Sequence, residues 1–234
     1  MVKFNTPLVS GKLIKRYKRF LADIMLDDGN IVTAHCPNPG SMKGLLLEGQ
    51  KVWLEKSIKT TSKLSYGWKL IELKEESFVV IDTTIANKVV KEALINKLIP
   101  GLESWGMIKS EVRYGENSRL DFILGDQYGS FCYLEVKSVS LREGTTALFP
   151  DSVTVRGAKH LRDLRKIVSE GHRAILFFLV QRSDVSSWDL AYDIDQNYCQ
   201  AFYEAEISGV EVMAYQSEIS TSSIGLGKEL VRRF

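Results

Sequence analysis

Two short stretches carry charged side chains where a buried strand would have none: Ser118-Arg119-Leu120-Asp121-Phe122 and Tyr133-Leu134-Glu135-Val136-Lys137-Ser138-Val139. Strand alternation puts Glu135 and Lys137, at i and i+2, on one face about 7 Å apart. Asp121 has the same setting in the preceding strand. If the two strands are neighbours, two carboxylates and one ammonium converge on one side of a sheet. Hard divalent cations such as Mg²⁺ take oxygen ligands, often one or two carboxylates completed by water and phosphate. Such a cation neutralises charge on a phosphodiester and eases deprotonation of bound water. A neighbouring lysine can hold that water or the phosphate. Carboxylates close together repel unless a cation joins them. The same spacing also fits a plain ion pair, with Lys137 bridging Asp121 and Glu135, or a solvated sheet face.

Basic side chains gather in two further places. Arg156, Lys159, His160, Arg162, Arg165 and Lys166 crowd one helical segment. Its N-terminal end, with Arg156, Lys159 and His160, favours anions through the helix dipole and suits the backbone of a nucleic acid. A solvated basic helix face is the other reading. Lys12, Lys15, Arg16, Lys18 and Arg19 alternate with Tyr17 and Phe20, which suits phosphate contact and base stacking, or an exposed edge that deters aggregation. Glu92, on the first helix, is a candidate further ligand for a cation, and Glu111 competes with it. His35 reads as a strand residue, His172 as a turn residue, and Asp151, after Phe149-Pro150, as a loop or cap residue beside the basic helix.

The elements that must position these groups change character near Thr83. Before it, Leu8–Ile14, Phe20–Leu26, Ile31–Cys36, Lys51–Lys56, Trp68–Leu73 and Phe78–Asp82 read as short strands, with a hairpin turn at Asp27-Asp28-Gly29-Asn30. The loop Pro37-Asn38-Pro39-Gly40-Ser41 is rich in residues that fix turns. This predicts a small antiparallel barrel over residues 1–82, with an OB-like barrel as one option. After it, helical periodicity over Ile85–Ile99 is followed by strands at Met107–Tyr114, Leu120–Leu124 and Phe131–Val139. A helix at Val153–Ser169, a strand at Ala174–Val180, a helix at Asp195–Ser208 and a strand at Val210–Tyr215 complete the pattern. The order α-β-β-β-α-β-α-β predicts a mixed sheet covered by helices over residues 83–234.

Composition narrows the function classes. Of 234 residues, 44% are hydrophobic and 26% charged, as in an ordinary globular chain and unlike a disordered or collagenous one. No apolar run approaches the roughly 20 residues that span a bilayer, and the basic N-terminus lacks the apolar stretch and cleavage site of a signal peptide, so a cytoplasmic protein without a membrane partner is expected. Cys36, Cys132 and Cys199 are odd in number and far apart, which argues against a disulfide framework or a zinc site. Net charge is +2 overall. Residues 1–82 hold 13 Lys/Arg against 9 Asp/Glu, and residues 83–234 hold 18 against 20, which permits a basic face without establishing one.

Taken jointly, several segments resemble the sugar fermentation stimulation protein A family. They are Arg16-Tyr17-Lys18-Arg19-Phe20-Leu21-Ala22-Asp23, His35-Cys36-Pro37-Asn38-Pro39-Gly40-Ser41-Met42, Ser118 to Phe122, Glu135 to Val139, Phe149-Pro150-Asp151 and Arg156-Gly157-Ala158-Lys159-His160-Leu161. The resemblance implies an N-terminal OB-like barrel and a C-terminal α/β mixed-sheet domain similar to PD-(D/E)XK nucleases. It maps the nuclease acids to Asp121 and Glu135, the lysine to Lys137 and a first-helix acid to Glu92. It also implies DNA binding linked to regulation of sugar metabolism genes, maltose use in particular. Three functions are therefore carried forward. The favoured one is a DNA-binding regulator, with Arg16, Lys18, Arg19, Arg156, Lys159 and His160 on the backbone. The second is a Mg²⁺- or Mn²⁺-dependent nuclease, with Asp121 and Glu135 as metal ligands, Lys137 and Glu92 assisting, and no organic cofactor. The third is an interaction protein whose charges are structural. A homodimer is left open.

Overall fold

The computed structural model describes residues 1–58, 61, 63–114 and 118–233. Its first strand is β1 (Val2–Lys3), followed by β2 (Leu8–Tyr17), β3 (Leu21–Leu26), β4 (Ile31–His35), β5 (Lys51–Lys56), β6 (Tyr66–Glu72) and β7 (Phe78–Val80). Strands β2 to β6 pair in the order β4-β3-β2-β5-β6, and β4 returns in parallel to β6 through Ala34–Tyr66 and His35–Gly67. This closes a five-stranded OB-like barrel, and closure leaves it no open edge among those five strands. Inward-pointing residues fill it, including Leu13, Ile24, Ala34, Val52, Leu54 and Trp68.

The second region runs α1 (Ile85–Ile95), β8 (Met107–Tyr114), β9 (Ser118–Gly125), β10 (Phe131–Val139), β11 (Leu141–Glu143), β12 (Thr146–Phe149), α2 (Val155–Ser169), β13 (Arg173–Val180), β14 (Ser187–Leu190), α3 (Gln196–Ile207), β15 (Glu211–Ile219), β16 (Ser223–Glu229) and β17 (Val231–Arg232). A seven-stranded mixed sheet has the order β1-β16-β15-β13-β10-β9-β8. The central strand β13 is apolar on both faces, as a strand covered on both sides must be. Ile175, Phe177 and Leu179 face α1, whereas Leu176, Phe178 and Val180 face α2 and α3.

Three features correct the expected arrangement. Residues 1–82 are not all barrel: β1 pairs Val2 with Ile224 and Lys3 with Ser223, so the chain starts on the edge of the second sheet. The barrel and the mixed sheet also share a core, in which Leu70 and Val80 pack with Val89, Phe122 and Phe177. Finally, β11, β12, β14 and β17 form a second small sheet that the expected element order lacks. Its strands are two to four residues long, too short to show alternation. The three cysteines are buried and unpaired, as expected. Among the described residues no helix is long and apolar enough to cross a membrane.

Candidate functional site

Strands β9 and β10 are antiparallel neighbours, and their ladder ends at the pair Leu134–Phe122. Beyond that pair Asp121 takes over the backbone's role: its Oδ2 accepts from Val136 N at 2.8 Å. Its Oδ1 accepts from Asn87 Nδ2 of α1 at 2.7 Å. Glu135 is 3% exposed. Lys137 Nζ donates to Glu135 Oε1 at 2.8 Å, and the Nδ1 edge of His160, from α2, makes a short contact with the same oxygen. Glu135 Oε2 is buried with no partner among the described residues. Asp121, Glu135 and Lys137 line one cleft of about 680 Å³ with Asn87, Lys88 and Lys91 of α1, Glu111 of β8 and Arg156 and His160 of α2.

The two carboxyls titrate differently. Burial, reinforced by the negative charge of Glu135, pushes Asp121 up to about 6, against the bonds from Val136, Asn87 and the charge of Lys137. Burial also opposes ionisation of Glu135 and is its largest single influence. The His160 hydrogen bond and Lys137 together outweigh burial and hold Glu135 below the usual carboxylate range. One acid is thus firmly ionised and the other is poised a unit below neutrality.

Helix α2 is aimed by its caps. Thr154 Oγ1 accepts from Gly157 N at 3.0 Å, and Thr154 N donates to Asp195 Oδ2 at 2.7 Å. Asp195 is the N-cap of α3, so one carboxylate ties the start of both helices. Gly157 lets them approach: a Cβ there would stand 2.8 Å from Thr154 Cγ2 and 3.0 Å from the Tyr198 ring.

The structure separates the expected site residues. Glu92 is outside the cleft, with its Oε1 2.5 Å from the Met1 ammonium. Helix geometry explains this: residues at 100° intervals place Lys91 beside Asn87 but turn Glu92 well away. Glu111 lines the cleft instead, exposed and 3.5 Å from Arg119. His160 is 5% exposed and sits on Glu135 rather than on the surface, so it is not free to grip a backbone. Arg156 Nε donates to His160 Nε2 at 3.3 Å, which leaves Nδ1 to carry the ring proton toward Glu135. Arg16 is half-buried and spends its guanidinium on Arg19 O, Asn38 O and Gly40 O. Lys18 and Arg19 are exposed in the β2–β3 turn, Lys159 is half-buried on α2, and Arg156 is exposed on the cleft wall. Sequence reasoning missed Asn87, Lys88 and Lys91. The signal was available, since the three share the side of α1 opposite its buried Val89, Val90 and Ala93.

Comparison with known proteins agrees with this architecture. The profile of the SfsA N-terminal OB domain matches residues 14–81, and that of the sugar fermentation stimulation protein RE domain matches residues 84–223. A sugar fermentation stimulation protein homolog of Dinoroseobacter shibae is 48% identical over 231 residues, covering 98% of this chain and 95% of its own. A homolog from a Marinomonas species is 49% identical over 225 residues, covering 96% and 87%. The solved structure of Pyrococcus furiosus SfsA in complex with Ca²⁺ superposes with a TM-score of 0.88 at 28% identity, over 100% of both chains. Barrel, mixed sheet and sequence motifs therefore coincide from end to end, and the chain belongs to the sugar fermentation stimulation protein family.

Proposed function

We propose that the chain binds DNA in the cleft between α1 and α2 and hydrolyses its phosphodiester bonds with a divalent cation, Mg²⁺ or Mn²⁺, held by Asp121 and Glu135. The observation that carries this is the buried, unpartnered Oε2 of Glu135 beside a second carboxylate in an open cleft. A buried carboxylate oxygen without a donor is costly unless something occupies it. The donor set fits a hard cation. Among the described residues no group of three or more acids, histidines or cysteines is arranged to hold a metal, so the remaining positions fall to water, backbone carbonyl or phosphate oxygen. The Ca²⁺ complex of the Pyrococcus furiosus relative supports a divalent cation in this fold.

When bound, the cation would supply charge neutralisation on the phosphate and a more acidic water. The chain's own residues do the rest. Lys137 Nζ holds the water or a non-bridging oxygen. His160 fixes the Glu135 carboxylate, an outer partner that orients a ligand. Arg156 on one wall and Lys88 and Lys91 on the other take the flanking phosphates. Lys18 and Arg19 extend that contact from the barrel.

The DNA-binding regulator of sugar metabolism genes uses the same cleft without cutting, and one experiment separates the two. Labelled single-stranded, duplex and branched DNA is incubated with wild type, Asp121→Ala and Lys137→Ala, in Mg²⁺, Mn²⁺ or chelator. The expected result is metal-dependent cleavage that falls about 10²–10³-fold or more in each variant. Binding that weakens with salt, without cleavage under any metal, assigns the regulator and demotes the acids to structure. Absence of both sinks the proposal.

A further inference from the structure

Beside the cleft lies a smaller cavity of about 200 Å³, sharing Thr83, Ser138 and Phe149 with it. Its outer wall comes from the barrel, through Asn38 and Gly40, and its far side from Asp151. The loop is built to hold still. Arg16 Nη2 donates to Asn38 O at 2.7 Å and Gly40 O at 3.2 Å, and Thr83 Oγ1 donates to Pro37 O at 3.1 Å. Asn38 is 4% exposed. Its Oδ1 accepts from Gly40 N at 2.8 Å, which fixes the amide orientation. Its Nδ2 makes no hydrogen bond among the described residues and is not sealed from solvent, so one donor on the cavity wall is open to a ligand.

Across from it, Asp151 has no cation among the described residues. Its Oδ2 and Oδ1 receive only long bonds, from Ser41 Oγ at 3.4 Å and Ser152 Oγ at 3.3 Å. The two side chains meet over Gly40: a Cβ there would stand 2.6 Å from Asp151 Oδ2 and 3.0 Å from Asn38 Oδ1. The half-buried ring of Phe149, braced by Phe178 and Tyr198, closes the apolar side.

A carboxylate in this position excludes a phosphate group and calls for N–H donors. The volume is below the roughly 300–1,000 Å³ of drug-sized sites, so it suits one ring system and not a stacked base pair. We infer that this cavity receives one unpaired guanine of the DNA strand lying in the cleft. Guanine presents two adjacent N–H donors, N1–H and the N2 amino group, to a carboxylate, with O6 next to them for the Asn38 amide. Thymine offers a single N–H flanked by carbonyls, and adenine and cytosine offer an amino group beside a ring acceptor. Reading an extruded base by its pairing edge and an aromatic wall is an established mode. The inference rests on the DNA-binding reading and adds to it a base preference and a barrel contribution.

The test uses the full chain and fluorescent single-stranded dT 15-mers with one dG, deoxyinosine, dC or dA at successive positions, in Ca²⁺ and again in chelator. Deoxyinosine lacks the N2 amino group. The expected result is one register at which dG binds about tenfold tighter than deoxyinosine or dT. Asp151→Asn, which replaces one acceptor by a donor, should bring dG down to the dT value. Gly40→Ala, which pushes the Asp151 carboxylate aside, should do the same, with thermal melting as the check that both variants fold. Equal affinity for dG and deoxyinosine at every position, or a preference that survives Asp151→Asn, overturns the inference and leaves DNA binding standing. Free dGMP competing as well as the oligonucleotide overturns a strand-borne base. No binding to any oligonucleotide overturns this and the DNA-binding reading together.

Discussion

Among the described residues, two largely buried groups each set one lysine beside two acids, and they behave differently. At the junction of barrel and helix α1, Lys69 Nζ reaches both acids, Asp82 at 2.6 Å and Glu55 at 3.3 Å. Asn5 N and Nδ2 complete Glu55, and Thr84 N and Oγ1 complete Asp82. Burial works against the Lys69 charge, but Asp82 and then Glu55 outweigh it and raise its pKa. In the cleft Lys137 reaches Glu135 and the Nδ1 edge of His160 but not Asp121, an oxygen of Glu135 has no partner among the described residues, and Asp121 rises to about 6. The same residue types are fully satisfied in one place and leave a buried carboxylate oxygen unpartnered in the other. What separates them is not composition but how many oxygens are satisfied and whether the group opens to a cleft.

Breaking each lysine sharpens that contrast most. Lys69→Met leaves two buried carboxylates facing each other and should cost about 3–5 kcal/mol in urea unfolding, the usual loss when one partner of a buried pair is removed. Lys137→Met should cost clearly less, because His160 still holds Glu135 and the cleft admits water. Equal losses would mean that both groups are structural. Next in size is the response to cation. At about one hundred times its Kd, Ca²⁺ should stabilise wild type by about 2.7 kcal/mol, and Asp121→Asn and Glu135→Gln should lose that response in a melting series. A response carried by Glu55→Gln instead would move the metal to the other group.

The pH dependence follows from Asp121. Its folded pKa is about 6 against an ordinary 3.8, so the folded state holds the proton to higher pH than the unfolded chain. Without divalent cation, wild type should lose on the order of 2–3 kcal/mol as pH rises from about 4 to 7, and Asp121→Asn should show no such slope. A flat wild-type profile would show the Asp121 carboxyl already balanced by its partners. The smallest expected effect is at the caps: Asp195→Ala should cost about 1–2 kcal/mol, since it removes the cap of α3 and the tie to Thr154. Circular dichroism melting measures it, and a neutral result would leave the aim of α2 to Gly157 alone.

Legibility varied for physical reasons. Strands β5, β8 and β10 coincide with the bounds read from the sequence, because six to nine residues give the strand period room to show. Strands β11, β12, β14 and β17 are too short for that, and β14 and β17 meet only through distant pairing. His160 shares a helical stripe with Gly157, Leu161 and Leu164, so its burial was readable, but a crowd of basic neighbours pulled it to the surface in expectation. Glu92 lies outside the cleft because a helix face depends on which neighbours cover it, here the Met1 ammonium at the start of the chain.

The sequence by itself determined the barrel-then-mixed-sheet order, the family, and the alternation that puts Glu135 and Lys137 on one face. Those are local periodicities and motifs, written in adjacent residues. Tertiary structure decided which acid stands beside Asp121, that Arg16 anchors a loop through Nε and Nη2, and that a barrel loop walls the smaller cavity beside the cleft. It also decided that one carboxylate oxygen is left without a partner among the described residues. Whether a buried charge is satisfied depends on atoms brought together from distant parts of the chain, and no spacing within a strand or helix encodes that.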